Sequence, residues 1–251
     1  MFLKNKYLGI NSVLIALSSS IIATILHEFG HYVVAIYLNL NPELHHNYVM
    51  PLTEVSQKSQ VLMAAAGPLF SLMIGILALY ASIQWIKFSL LKLFFLWLGL
   101  QNILMFLGYM LIAPIAKDGD TGKVFDYLGI PMFLSISIAI LFFIFVNFLF
   151  SKFSNQFVFY KNEDLFNIQE NSRQLFLWPI LSSIIIMTIL SFPIYSWVSI
   201  LPSVFMPMTY FTTMGRYKKL KFTNAQITVS NLSVPLVILT VISIMLFRFL
   251  V

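Results

Sequence analysis

The chain has no cysteine. Disulfide cross-links are excluded, and so are thiolate metal sites; a zinc ion would have to be held by histidine and carboxylate. Charge is almost as scarce. Only 10% of the 251 residues are Asp, Glu, Lys or Arg, whereas a soluble globular domain is about one-quarter charged. Nine acids and four histidines are present in all, so any that cluster stand out. The apolar runs are continuous rather than alternating, which excludes a transmembrane β-barrel. Nucleic acid is not an expected partner either. The formal net charge is +6, carried in loops, and suits anionic lipid headgroups instead.

What is present is apolar. Hydrophobic residues make up 59% of the chain, and the mean hydropathy is +0.89. Several runs exceed the roughly 20 residues that a helix needs to cross a bilayer. Six spans are expected, at about residues 8–40, 61–86, 93–116, 131–150, 175–200 and 225–251, with a seventh open within 193–214. The fold class is therefore an all-α polytopic transmembrane helical bundle in the cell membrane. Residues 1–130 form a three-span core and 131–251 accessory helices. Lys4 and Lys6 precede an apolar run longer than the core of a cleavable signal, so the first span is read as retained. Residues 41–60, with Pro42 and Pro51, form a polar loop that has room for a short extended or re-entrant piece.

Six spans leave orientation undecided. One side would carry Lys4, Lys6, Lys87, Lys92, Lys152, Lys161 and Arg173, the other Lys58, Lys117, Lys123, Arg216, Lys218, Lys219 and Lys221. The positive-inside rule does not separate two sides so evenly charged.

The first span contains His27-Glu28-Phe29-Gly30-His31. An ionisable group at bilayer depth is costly and marks a functional site by default. On a helix, positions i and i+4 share one face, so His27 and His31 can bind one zinc ion, with Glu28 beside it as general base. By chance this pattern would occur in roughly one such chain in a thousand. The bland alternative is a helix whose polar residues bond to neighbouring helices. A catalytic zinc takes three protein ligands and leaves one position open. The candidates for the third are Asp118 and Asp120 after the third span, and His45 and His46 in the 41–60 loop. Ala64, Ala65, Ala66 and Gly67 are small enough for the second span to approach the first closely. Pro68 frees a carbonyl, Ser71 offers a hydroxyl, and Asn102 is a polar group in mid-span.

These stretches together resemble the site-2 proteases, a family of intramembrane zinc metalloproteases. Ala65-Ala66-Gly67-Pro68-Leu69-Phe70-Ser71 is similar to the family's Ala-Gly-Pro-x-x-Asn/Ser element. Asn102, Ala113-Pro114 and Asp120-Thr121-Gly122-Lys123-Val124-Phe125 resemble its Asn-x-x-Pro…Asp-Gly-Gly-Arg-Ile-Leu motif. The resemblance covers about residues 20–127. It implies zinc on His27, His31 and Asp120, with Asp118 as the alternative, and Glu28 as the catalytic base. Asn102, Gly67, Pro68 and Ser71 would bind substrate or support the site. It further implies hydrolysis of a membrane-spanning or membrane-inserted peptide, with the site near the cytosolic face. Such a substrate must unwind locally, and an edge in the 41–60 loop could hold it by strand addition.

The sequence also departs from the family. The usual spacing from proline to Asp is five residues, whereas here Asp118 follows Pro114 by four and Asp120 by six. The Asn just before that proline is missing, and Gly108 and Tyr109 lie near its place. No PDZ-type or CBS-type module is present. The competing class is a non-catalytic membrane scaffold, immunity or transport protein. A prenyl-protein-type peptidase would need a second Glu-rich motif, which is absent.

Overall fold

The computed structural model describes residues 7–161, 167–194, 206–220 and 227–250. Among them are the helices α1 (Tyr7–Tyr37), α2 (Gln57–Tyr80), α3 (Leu90–Ile112), α4 (Asp120–Tyr127), α5 (Met132–Phe157), α6 (Ile168–Ser172), α7 (Trp178–Leu190), α8 (Tyr210–Tyr217) and α9 (Val234–Phe249). Short π-helical turns extend α2 through Trp85 and join α6 to α7. Five helical stretches are long and apolar enough to cross a membrane: Tyr7–Tyr37, Gln57–Trp85, Leu90–Ile112, Met132–Phe157 and Ile168–Leu190. The last helix, α9, is a shorter apolar one.

Helices α1, α2 and α3 pack into the core that carries the site. Gly75 and Gly99 permit the close approach of α2 and α3. A Cβ on Gly75 would lie 2.9 Å from the Ile103 nitrogen, and one on Gly99 would lie 2.9 Å from the Leu79 nitrogen. Small residues at such crossings let backbones pack where no hydrophobic drive exists between helices. The outward faces are apolar too. On α5, Leu141, Phe143, Ile144 and Phe148 are exposed, and on α9 so are Val241, Ile242 and Met245. Such a surface suits hydrocarbon and would be a large liability in water.

Contacts along the helices give their directions. On α2, Met63 meets His31 and Ser71 meets His27, so α2 runs antiparallel to α1. On α3, Gln101 meets Ser20 and Tyr109 meets His27, so α3 is parallel to α1. Helix α5 returns, pairing Phe142 with Phe106 and Phe157 with Trp97. We call the end where α1 begins proximal and the other distal. The site is distal.

Here the structure departs from six alternating spans. Gln174, just before α7, bonds to Gly9 at the proximal end, and Ser191, just after it, meets His46 at the distal end. Helix α9 runs the same way. Ser233 bonds to Asn11, and the Leu250 carbonyl accepts from the His46 nitrogen at 3.0 Å. Two successive helices that run in parallel require the chain to return between them. Of that return, the described part is Met206–Leu220, whose α8 packs on α5. The Thr212 hydroxyl bonds to Asn147 at 2.6 Å, and the Tyr217 ring meets Phe176. The seventh span left open within 193–214 falls largely on residues 195–205, which lie outside those described. The basic run Arg216–Lys219 is carried to the proximal end, opposite the Asp120 loop.

The 41–60 loop contains a hairpin of β1 (Pro42–Leu44) and β2 (Val49–Pro51), paired antiparallel with Glu43 opposite Met50. Its tip docks on the ends of α7 and α9. His46 Nε2 lies 3.3 Å from the Ser191 carbonyl, and its ring meets Phe247 edge-on. A second two-stranded pairing, β3 (Tyr160–Lys161) with β4 (Ile227–Thr228), is parallel and proximal.

Candidate metal centre

His27 and His31 lie one helical turn apart on α1, and both are buried. Their Nε2 atoms are 3.1 Å apart. Asp120 Oδ2 lies 3.0 Å from the first and 3.2 Å from the second. Three ligand atoms from two distant parts of the chain therefore form a nearly equilateral triangle. Among the described residues, this is the only such group of three or more His, Asp or Glu residues close enough to hold a metal ion.

The remaining ring nitrogens are also engaged. His31 Nδ1 donates to the Met63 carbonyl at 2.7 Å. His27 Nδ1 lies 3.1 Å from Ser71 Oγ. Histidines that bind metals usually spend their second nitrogen in this way, which fixes the tautomer and the ring orientation. With Nδ1–H donating, each Nε2 is left with a lone pair. The triangle then consists of three acceptors aimed at one point with no hydrogen between them, an arrangement that a cation stabilises. A tetrahedral zinc with ligands at 2.0–2.1 Å would space them about 3.3 Å apart. The donor set and its spacing therefore fit zinc.

The local sequence explains how this geometry is reached. Gly30 and Gly67 face each other where α1 crosses α2. A Cβ on Gly67 would overlap the His31 ring, with Cε1 at 2.5 Å, and one on Gly30 would lie 2.7 Å from the Phe70 Cβ. Pro68 sits inside α2, where it removes one helical N–H and leaves a carbonyl without its usual donor. Asp120 opens α4, with Gly119 as its N-cap. Gly122 allows that first turn to settle on the preceding loop, since a Cβ there would lie 2.7 Å from the Lys117 carbonyl oxygen.

The triangle opens on a cavity of about 380 Å³ lined by Glu28, His31, Tyr109, Asp118, Asp120 and Lys123, and by Asn47 to Pro51 of the hairpin. Glu28 is buried and borders this space beside the histidine pair. Asp118 lines the cavity but stands outside the triangle. His45 and His46 are elsewhere: His45 lies 3.8 Å from Glu43, and His46 bonds to Ser191. Both loop histidines are thereby removed as ligands. Asn102 is not brought to the site either. It is fully buried but donates to Leu98 in its own helix and does not line the cavity.

Two features of the site are not evident in the sequence. The Met63 carbonyl is a backbone group and leaves no mark in residue identity. Tyr109 stacks on His27 with ring centroids 5.0 Å apart and planes 9° from parallel. Its position near the missing Asn is the available signal. No family model, no curated protein and no solved structure matches the chain.

Proposed function

We propose that this protein is a zinc-dependent intramembrane endopeptidase of the site-2 protease type. The carrying observation is the convergence of three acceptor atoms, from His27, His31 and Asp120, with His31 and Asp120 lining a cavity that Glu28 also lines. A scaffold has no use for a base beside three metal ligands. His27, His31 and Asp120 would hold the ion, which supplies Lewis-acid chemistry by polarising a carbonyl and acidifying a water molecule. Glu28 accepts the proton as the water attacks the peptide carbonyl, then delivers it to the leaving amine. Ser71 and Met63 keep the two imidazoles turned toward the ligand position. Tyr109 limits rotation of His27 by covering one face of its ring.

The hairpin supports a peptide substrate. The register places Val49 in a non-hydrogen-bonded pair, so its N–H and C=O face away from β1. Pro51 occupies the equivalent outward position, where its missing N–H costs the hairpin nothing. An unwound segment of a membrane-inserted peptide can add as a further strand along this edge, beside the metal position. Cleavage of such a substrate in liposomes by wild type, and its absence with Glu28→Gln at equal zinc content, tests the reading. Equal cleavage by both proteins rejects it.

A further inference from the structure

The parallel course of α7 and α9 changes the balance of charge between the two ends of the bundle. Lys87 and Lys92 flank the proximal turn between α2 and α3. Lys152 lies in the last turns of α5, Lys161 follows α5, and Arg173 precedes α7. Arg216, Lys218 and Lys219 close α8 as it reaches the same end. That makes eight described cations at the proximal end. In the sequence, Lys4 and Lys6 directly precede α1, and Lys221 follows Leu220. The distal end has four: Lys58 at the start of α2, Lys117 and Lys123 around α4, and Arg248, whose guanidinium bonds to the Leu190 carbonyl at 3.2 Å. Among the described residues Glu43, Glu54, Asp118, Asp120 and Asp126 stand at the distal end and Glu170 at the proximal end; in the sequence, Glu163 and Asp164 follow Lys161. Lys and Arg in short loops near span ends are retained on the cytosolic side. The even count in a six-span arrangement arises only because it puts the Arg216–Lys221 run at the distal end.

We infer that the proximal end is cytosolic and that the His27–His31–Asp120 cavity opens toward the extracytoplasmic side of the membrane. This is the reverse of the sidedness that the resemblance implies. The consequence for substrate class is direct. The scissile segment lies in the outer half of the bilayer or in a peptide that has already been translocated, and a cytosolic peptide has no route to the cavity. That consequence rests on the peptidase reading; the orientation does not.

The lack of native cysteine makes the test clean. Thr53→Cys, in the exposed segment after the hairpin, and Gln84→Cys, in the exposed turn after α2, report opposite ends without changing charge. Intact cells expressing each variant are treated with a membrane-impermeant maleimide. Thr53→Cys is expected to label at once, and Gln84→Cys only after permeabilisation. A second pair, Leu128→Cys between α4 and α5 and Gly215→Cys in α8, repeats the measurement if one variant fails to accumulate. Labelling in the reverse order, or equal labelling of both ends in intact cells, overturns the orientation. The readout does not depend on activity. If the labels reverse while Glu28-dependent cleavage persists, the orientation falls and the peptidase stands. If the labels follow expectation and zinc and cleavage are absent, the peptidase falls and the orientation stands.

Discussion

The Nδ1 of His31 lies 2.7 Å from the main-chain carbonyl oxygen of Met63. A helix that could have packed anonymously against α1 thus dictates which nitrogen of a buried histidine faces the cavity. Ser71, two turns further along α2, faces the other histidine at 3.1 Å. One face of α2 therefore orients both rings.

The first expectation concerns metal content. Purified wild type should carry close to one zinc per chain, and the His27→Ala/His31→Ala double variant none. Elemental analysis decides this, and equal zinc in the two proteins would remove the centre.

The two acids near the site should separate. Asp120→Asn deletes a charge that touches both histidines and should lose the zinc, whereas Asp118→Asn should keep it. Retention by Asp120→Asn with loss by Asp118→Asn would mean that the third ligand has been misassigned.

Glu28→Gln preserves size and removes the ability to take a proton. Zinc should remain while the cleavage rate falls by about 10²–10⁴-fold, the usual contribution of a general base. A rate within a factor of two of wild type would show that another group takes the proton.

Support of the rings should be measurable apart from the ligands. Ser71→Ala deletes one hydrogen bond and should weaken zinc binding by about 10–100-fold. Competition with a chelator measures the shift, and unchanged affinity would reduce Ser71 to a packing residue. Gly67→Ala should be more severe, because its methyl group would occupy the space of the His31 ring.

The hairpin tip should make stability sensitive to acid. Burial holds His46 below the usual histidine range, and the nearby Arg248 and His45 act in the same direction. The unfolded chain therefore binds a proton that the folded one resists. Stability present above about pH 6.5 is lost progressively as the pH falls below it. Thermal unfolding in detergent from pH 7.5 to 5 should show this slope in wild type and a flatter one in His46→Gln. Identical slopes would dismiss His46 as the cause.

Much of this site is legible in the residues alone. The pair His27 and His31 follows from helical spacing, the close α1–α2 crossing from the small residues Ala64 to Gly67, and the preference for Asp120 over Asp118 from the resemblance of the string that it opens. The path of the second half is not. Hydropathy finds membrane helices by their lack of polar groups, and α8 carries Thr212, Thr213 and Arg216. Two of these are satisfied inside the bundle: Thr212 bonds to Asn147, and Thr213 lies 3.2 Å from the Phe150 carbonyl. Such pairings depend on tertiary neighbours, so a short packed helix of moderately polar residues resembles a loop in the sequence. Leaving it out moves the whole basic run to the wrong end. The role of His46 is hidden for a related reason: it serves as a peg between backbone carbonyls, which residue identity does not show.

That peg also imposes an order in time. The wall of the cavity formed by Asn47 to Pro51 is fixed through the adjoining His46 to Ser191 and to Leu250. The ribosome delivers His27, His31 and Asp120 well before the partners that seat the hairpin, Ser191 and Leu250. A nascent chain therefore passes through a stage with His27, His31 and Asp120 already made and the hairpin still unanchored. The competent cavity forms only once α9 has been threaded beside α1.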